Sequence, residues 1–274
     1  MAVLGKRLAV SIPDSVLEDK ESLRDKTSKL GQIARACAIY GVDIVEVFRD
    51  TNANGEGKLI CKVLEYLETP QYLRRRLYPL DESLKFAGTL PPLRIPSHKP
   101  KVPVGGLKPG EVREGIANGD GSVDIGLDEG PKLVGLARQG ERVTVKVTSV
   151  RPLVAERIPK EKTGAYWGYA LEERSKDQVV EDARFEVKVA TSRFGTPLVD
   201  AIRPVREKLR RSDSVKLIFG SPSKGLFDLF GRDLATRVSA VVNLFPRQQV
   251  ETVRTEEAIF AGLGLVSTLC AEKA

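Results

Sequence analysis

The stretch VSAVVNLFPRQQVETVRTEEAIFAGLGLVSTL, Val238 to Leu269, limits the possible folds more than any other part of the chain. It opens with a strand-length apolar run, Val238 to Leu244, of the kind a central parallel strand covered on both faces requires. A polar turn follows. Thr252 or Thr255 then offers an N-cap oxygen, and Glu256 and Glu257 fall in a first helical turn, where carboxylates favour the helix dipole. Ile259, Leu263, Val266 and Leu269 repeat on one stripe of the helix. A strand whose carboxyl end passes through a polar turn into a helix is where open α/β sheets bind ligands. The chemistry of this chain is therefore expected near its C-terminus.

The remainder of the chain changes rhythm twice. Up to about residue 90, strands and helices alternate: RLAVSI, a helix from about Leu23 to Tyr40, VDIVEVF, and the helix KLICKVLEYLE. Leu30, Ile33, Ala34, Cys37 and Ala38 give the first helix one apolar face. Prolines are too dense between Leu90 and Pro103 for a helix or a central strand, so this tract reads as a linker. From about Val104 to Leu171 short alternating strands take over (VDIGL, RVTVKVTSV, YWGYAL), with a GDG turn at Gly119 to Gly121, which predicts a small antiparallel barrel of OB type. FEVKVATS, a helix from about Pro197 to Arg211, and VKLIFG then restore the α/β pattern. The expected organisation is a discontinuous α/β domain, residues 1–91 plus 172–274, with an OB-like barrel at 92–171 inserted into it.

Composition excludes more than it selects. The chain has 274 residues, 41% of them hydrophobic, which suffices for one large or two modest cores. No apolar run approaches bilayer length and the N-terminus lacks a signal-peptide layout, so a cytoplasmic protein without a membrane role is expected. Cys37, Cys61 and Cys270 lack metal or redox spacing and are expected to be reduced core residues. His98 is the only histidine and sits in the proline tract, which argues against a catalytic triad or a histidine-held metal; no metal is expected. GSPSKGL lacks the spacing of a nucleotide phosphate loop, and no GxGxxG follows the first strand. A net charge of +7 favours a polyanionic partner. The clusters Arg74–Arg76, Arg206–Arg211 and Lys99/Lys101 read equally as solvated faces or as RNA contacts.

Several segments, in order, resemble one class of enzymes. LGQIARACAIYGVDIVEVF (Leu30 to Phe48) is similar to the first motif of the SPOUT S-adenosylmethionine-dependent RNA methyltransferases, and ATSRFG (Ala190 to Gly195) to the loop entering their trefoil knot. KLIFGSPSKGL (Lys216 to Leu226) resembles their glycine-rich loop, and VRTEEA (Val253 to Ala258) the signature that closes the knot. YWGY, Tyr166 to Tyr169, is similar to the archaeal and eukaryotic branch with an inserted barrel. The resemblance implies a knotted parallel-sheet domain, S-adenosylmethionine as cofactor, RNA as substrate and a homodimer, because SPOUT sites are completed across a subunit interface.

It also implies roles for residues. Gly220, Ser221, Pro222 and Gly225 form one wall of the cofactor pocket, the first glycine allowing the turn and the last a conformation a Cβ would exclude. Asn243, Leu244, Pro246, Thr252, Val253 and Thr255 form the other. Leu244 and Val253 offer backbone groups to adenine, while Arg193, Asn243 and Thr255 reach ribose and amino acid. Arg35, by its own position a snorkelling surface arginine, corresponds to an arginine that points into the active site, where its fork would orient a base. Glu256 is a candidate proton acceptor. The expected activity is base methylation of ribosomal RNA, uridine N3 first among sites. A tRNA methyltransferase, including one acting on ribose 2′-hydroxyl, and a non-catalytic RNA-binding assembly factor stand as alternatives.

Overall fold

A computed structural model describes residues 5–50 and 55–271. In chain order the elements are β1 (Arg7–Pro13), α1 (Leu23–Tyr40), β2 (Ile44–Arg49), α2 (Gly57–Glu68), α3 (Gln71–Leu77), β3 (Val112–Ala117), β4 (Val123–Asp124), β5 (Lys132–Val134), β6 (Arg142–Val150) and β7 (Leu153–Arg157). They continue with β8 (Ala170–Ser175), α4 (Lys176–Glu181), β9 (Val187–Pro197), α5 (Leu198–Arg210), β10 (Ser214–Ile218), α6 (Leu226–Phe230), α7 (Leu234–Arg237), β11 (Ala240–Asn243) and α8 (Thr255–Ala271). Two compact units result. One takes 66–81 and 92–167; the other takes the residues up to Glu65, 82–91 and those from Gly168 on.

The larger unit is built on a six-stranded sheet in the order β11-β9-β10-β1-β2-β8. Every pairing in it is parallel. β1 and β10 lie at its centre and are buried almost throughout, as strands covered on both faces must be. α1 is set by local chemistry at both ends. The Ser22 side chain accepts from the Asp25 amide, and Gly41, at φ 68°, adopts the left-handed cap that a Cβ would disfavour. Its apolar face lies inward as the spacing predicts, with Leu30, Ile33, Ala34 and Cys37 buried. So does the stripe Ile259, Leu263, Val266 and Leu269 of α8.

Two strand expectations need correction. The apolar run at 238–244 shortens to a four-residue strand at the sheet edge, bonded only to β9 and half-buried over most of its length. Hydrophobicity marked it as buried; helices covering an edge strand give the same signal as a central position. YWGYAL is not a barrel strand either. The strand starts at Ala170 and pairs with β2 in the parallel sheet, while Trp167 and Tyr169 are buried.

The smaller unit holds a five-stranded sheet, β4-β3-β6-β7-β5. β3, β4, β6 and β7 pair antiparallel, but β5 runs parallel to β7, so the sheet is mixed. A bridge between Ser122 and Lys132 joins its two ends and curls it. Its apolar core gathers Val123, Ile125, Val143, Val145 and Val147. Beside this lies a polar cluster centred on fully buried Glu114, which accepts from Arg142 Nε, Thr144 Oγ1 and Trp167 Nε1. The indole N–H thus has its partner inside the unit, and the ring is core rather than a stacking platform for RNA. The proline tract is likewise packed: Leu93, Ile95 and Ser97 are buried.

Several basic residues of the sequence clusters are also used internally. Arg74 is buried, donates to the Thr69 and Leu67 carbonyls and sits 4.7 Å from the Tyr66 ring centre. Arg76 bonds Asn118 and Asp124. Among the described residues no helix is long and apolar enough to cross a membrane, and no group of three or more His, Cys, Asp or Glu side chains could hold a metal.

His98 Nε2 lies 2.7 Å from the Glu68 carbonyl oxygen, and burial, reinforced by Arg74 and Arg142, pushes the imidazole down to about 4. In the unfolded chain it protonates near 6.5. The folded state therefore resists the proton: its advantage is complete above about pH 6.5 and is lost as pH falls toward 4. Acidifying from pH 7 to 4.5 should cost about 2 kcal/mol through this group. Denaturant unfolding of His98→Gln should show a correspondingly flatter acid limb than the wild type.

Candidate functional site

A cavity of about 320 Å³ opens at the carboxyl ends of β9, β10 and β11. Its first wall is the loop after β10. Here Gly220 is required by close approach: a Cβ would lie 2.8 Å from the Lys224 carbonyl oxygen. The Ser221 amide donates to that same carbonyl, closing a tight turn. Glu18 clasps the loop from outside, accepting from the Ser221 hydroxyl and from both the amide and hydroxyl of Ser223. Burial tends to raise its carboxyl, but those bonds outweigh it and hold the group below the ordinary carboxylate range.

The second wall is the segment from β11 to α8. The Asn243 side chain bridges it, donating to the Arg193 carbonyl and accepting from the Phe245 amide. The Gln248 side chain donates to the Val250 and Glu251 carbonyls and tightens the turn. The two walls meet at the head of α8, where the Thr255 hydroxyl donates to the Gly220 carbonyl. Neither Thr252 nor Thr255 acts as the N-cap; Thr255 opens the helix, and the Glu257 carboxylate accepts from the Arg254 amide. At Gly262 a Cβ would lie 3.3 Å from the Phe219 ring, so α8 lies close beneath this end of β10.

Of the cofactor residues read from the sequence, Arg193, Gly220, Ser221, Pro222, Gly225, Asn243, Leu244, Thr252, Val253 and Thr255 all line this cavity. Pro246 does not; it is exposed in the turn. Gly225 lines it without the conformation expected of it. Its φ is −73°, open to any residue, and the nearest atom to a Cβ is the Asp228 carboxylate at 3.4 Å. The sequence reading missed Thr191, Phe219, Phe245 and Glu251, which also contribute to the lining. Phe219 was legible as the last apolar residue before the glycine turn. Glu251 carries no motif signal.

The two residues read as catalytic lie elsewhere. Arg35 is exposed on α1 and Glu256 is buried at the head of α8, and neither lines the cavity. Glu256 faces away from Thr255, toward buried Lys29. Cysteine chemistry finds no support: all three thiols are free, and burial pushes those of Cys37 and Cys61 up to about 12, away from the reactive thiolate.

The volume falls within the roughly 300–1,000 Å³ of ordinary small-molecule sites. Apolar faces from Phe219, Leu244 and Phe245 beside the polar groups of Ser221, Asn243 and Thr255 suit a ligand that joins a flat heterocycle to a polar chain.

A family model described as "Putative RNA methyltransferase" matches residues 7–266, and the chain belongs to that family. An uncharacterized protein of Halobacterium salinarum is 34% identical over 284 residues, which cover 93% of this chain and 97% of that one. The human 28S rRNA (uridine-N(3))-methyltransferase is 31% identical over 303 residues, covering 93% of this chain and 76% of its own length. Its Drosophila melanogaster counterpart is 30% identical, with 93% and 61% covered.

The two loop glycines should respond differently to a methyl group. Gly220→Ala must displace a backbone carbonyl and should cost about 1–3 kcal/mol. Gly225→Ala should fall within about 0.5 kcal/mol of the wild type. Paired denaturant melts measure both.

Proposed function

We propose that this protein is an S-adenosylmethionine-dependent RNA methyltransferase that methylates uridine N3 in ribosomal RNA, acting in the cytoplasm as a homodimer. The observation that carries the reading is convergence. Ten residues from three separate sequence segments surround one cavity at the carboxyl ends of parallel strands, in a chain of an RNA methyltransferase family. Relatives named for uridine N3 methylation of 28S rRNA, at about 30% identity over most of the chain, support the choice of acceptor.

When bound, the cofactor supplies a methyl group on a sulfonium. The chain's own residues hold and orient. Asn243 and Thr255 tie the second wall to Arg193 and to the glycine loop, so the cavity keeps its shape before ligand arrives. Ser221 and Asn243 offer polar side chains to the ribose and amino acid portions, and Phe219 and Leu244 offer apolar surface to the purine. Arg35 faces the acceptor RNA across the subunit interface, where a guanidinium binds a phosphate or base carbonyl through two parallel bonds. Its exposure on α1 is compatible with that role.

In the architecture that goes with this activity, the parallel sheet is closed by a trefoil knot and the curled sheet is an OB-like barrel within residues 92–171. β11 joins the sheet through β9 rather than through its sequence neighbour β10, and the head of α8 bonds back to the loop after β10. Both features support a C-terminal segment threaded past that loop, against the general rule for chain connections.

S-adenosylhomocysteine at 100 times its dissociation constant should stabilise the fold by about 2.7 kcal/mol. A flat calorimetric titration together with an unchanged melting temperature would remove the cofactor reading. Arg35→Ala should keep that affinity while slowing single-turnover methyl transfer by on the order of 10² to 10³, and lysine should rescue poorly. Transfer at the wild-type rate would return Arg35 to the solvated surface. Cofactor binding with no methylated nucleoside lost on deleting the gene would favour a non-catalytic assembly factor.

A further inference from the structure

Strand β9 does not run straight through its pairing with β11. Val241 lies opposite Ala190 and the next pair is Val242 with Thr196, so the five residues Thr191 to Gly195 have no counterpart on β11. They form a bulge at the carboxyl end of the strand, a device that re-aims side chains beside functional sites. Both of its feet are pinned. The Thr191 hydroxyl donates to the Ile218 carbonyl, and at Gly195 a Cβ would lie 2.7 Å from the Val241 carbonyl oxygen. Between them the Phe194 amide donates to the Ser192 hydroxyl, and the Arg193 carbonyl accepts from the Asn243 side chain. What this held bulge presents is an aromatic ring. Phe194 lines the cavity yet is 68% exposed, which puts it at the mouth. The Arg193 guanidinium lies over the ring, 4.7 Å from its centre. An exposed phenyl ring adds nothing to the core, and the bulge that carries it is fixed by bonds at both ends.

We propose that Phe194 is the platform on which the acceptor uracil stacks during methyl transfer. The inference rests on the methyltransferase reading and names a residue that receives the substrate. A base whose ring nitrogen reacts is poorly held through that nitrogen, because a hydrogen bond from N3–H turns the atom away from the methyl donor. Stacking grips the face instead and leaves the whole edge free to turn inward. Depth decides between the acceptor and the cofactor's own purine. Phe219, at the floor of the same cavity, is 1% exposed, whereas Phe194 stands where a base arriving from solvent meets the protein first. Arg193 adds a positive charge at this mouth, where the nucleotide's phosphate passes. Stacking tolerates every base, so Phe194 holds the acceptor without choosing it.

The test compares Phe194→Ala, Phe194→Leu and Phe194→Trp in the full chain. Calorimetry measures S-adenosylhomocysteine binding, and initial rates of methyl transfer from S-adenosylmethionine are followed against the concentration of ribosomal RNA from cells lacking the gene. Phe194→Ala should lower kcat/KM for RNA about 10- to 100-fold, the loss of one base–aromatic stack, with S-adenosylhomocysteine affinity changed less than about twofold. Phe194→Trp should stay within about threefold of the wild type, and Phe194→Leu should behave like alanine, because leucine keeps apolar bulk but loses the flat face. Wild-type kcat/KM in the alanine variant overturns the proposal, as does rescue by leucine equal to that by tryptophan. A parallel fall in S-adenosylhomocysteine affinity overturns it in favour of a contact with the cofactor's purine. A smaller species of Phe194→Ala in sedimentation overturns it in favour of a contact between copies. Wild-type protein that binds no S-adenosylhomocysteine, or transfers no methyl to this RNA, counts against the methyltransferase reading itself. Affinity for hexauridylate then decides the stack alone: a tenfold loss in Phe194→Ala restored by tryptophan supports it, and an unchanged affinity overturns it.

Discussion

The buried ammonium of Lys216 holds the larger unit together. It lies in the centre of the parallel sheet, fully buried, 2.8 Å from Glu46 Oε2 and 2.9 Å from Asp182 Oδ2, with the Val179 carbonyl at 3.2 Å. The Phe185 ring centre is 4.7 Å from Nζ. Ser11 of β1 donates to Glu46 as well, and Arg184 bridges Glu46, Asp182 and Glu172. A charge this deep is tolerable only when nearly every donor is used, because removing one partner leaves the others uncompensated at about 3–5 kcal/mol. Burial alone would raise the Asp182 carboxyl, yet the bonds from Arg184 and Lys216 bring it far below its ordinary range. The cluster therefore acts as a specificity device. It joins β10 to β2, elements from opposite ends of the chain, in one register.

That register places the site. From Lys216, β10 continues through Ile218 into Phe219 and Gly220, so the same strand that is fixed by the ion cluster delivers the glycine loop to the cavity. β9, on one side, delivers Thr191 and Arg193; β11, beyond it, delivers Asn243. Packing of α8 under Phe219 leaves no free space at Gly262, so the head of the helix, with Thr255, is held against the loop. The loops that wall the cavity are thus anchored by strand ends and by the packing of α8.

Local chemistry explains which parts of this were legible. α1 was readable because its apolar stripe repeats at helical spacing between Leu23 and Tyr40. The walls of the cavity were readable because they are contiguous motifs whose members reach the same strand ends. Position within a sheet was not: apolar residues record burial, and β11 is partly buried by helices although it is an edge. Gly225 misled because glycine in a loop is read as backbone need, whereas its backbone is ordinary and only Gly220 lacks room. The pairing of Lys29 with Glu256 had no signal at all, since each looks like a solvated charge on its own helix. Long-range ion pairs leave no periodicity to read.

Charge is subject to the same long-range pairing. A net charge of +7 points to a polyanion only if the excess lies on the surface. Some arginines and lysines are instead matched by carboxylates, Lys216 fully buried and the arginines half-buried. Lys216, Arg184 and Arg174 are matched against Glu46, Asp182 and Glu172, and Arg142 is shared between Glu68 and Glu114. These internal groups cancel or leave a slight negative balance, so they cannot account for the excess. The positive charge must then reside in exposed groups, among them Arg203, Lys208, Arg210 and Arg211 on or just after α5 and Arg193 and Arg254 around the cavities. An exposed excess of positive charge favours a polyanionic partner, and salt should weaken such an attraction steeply.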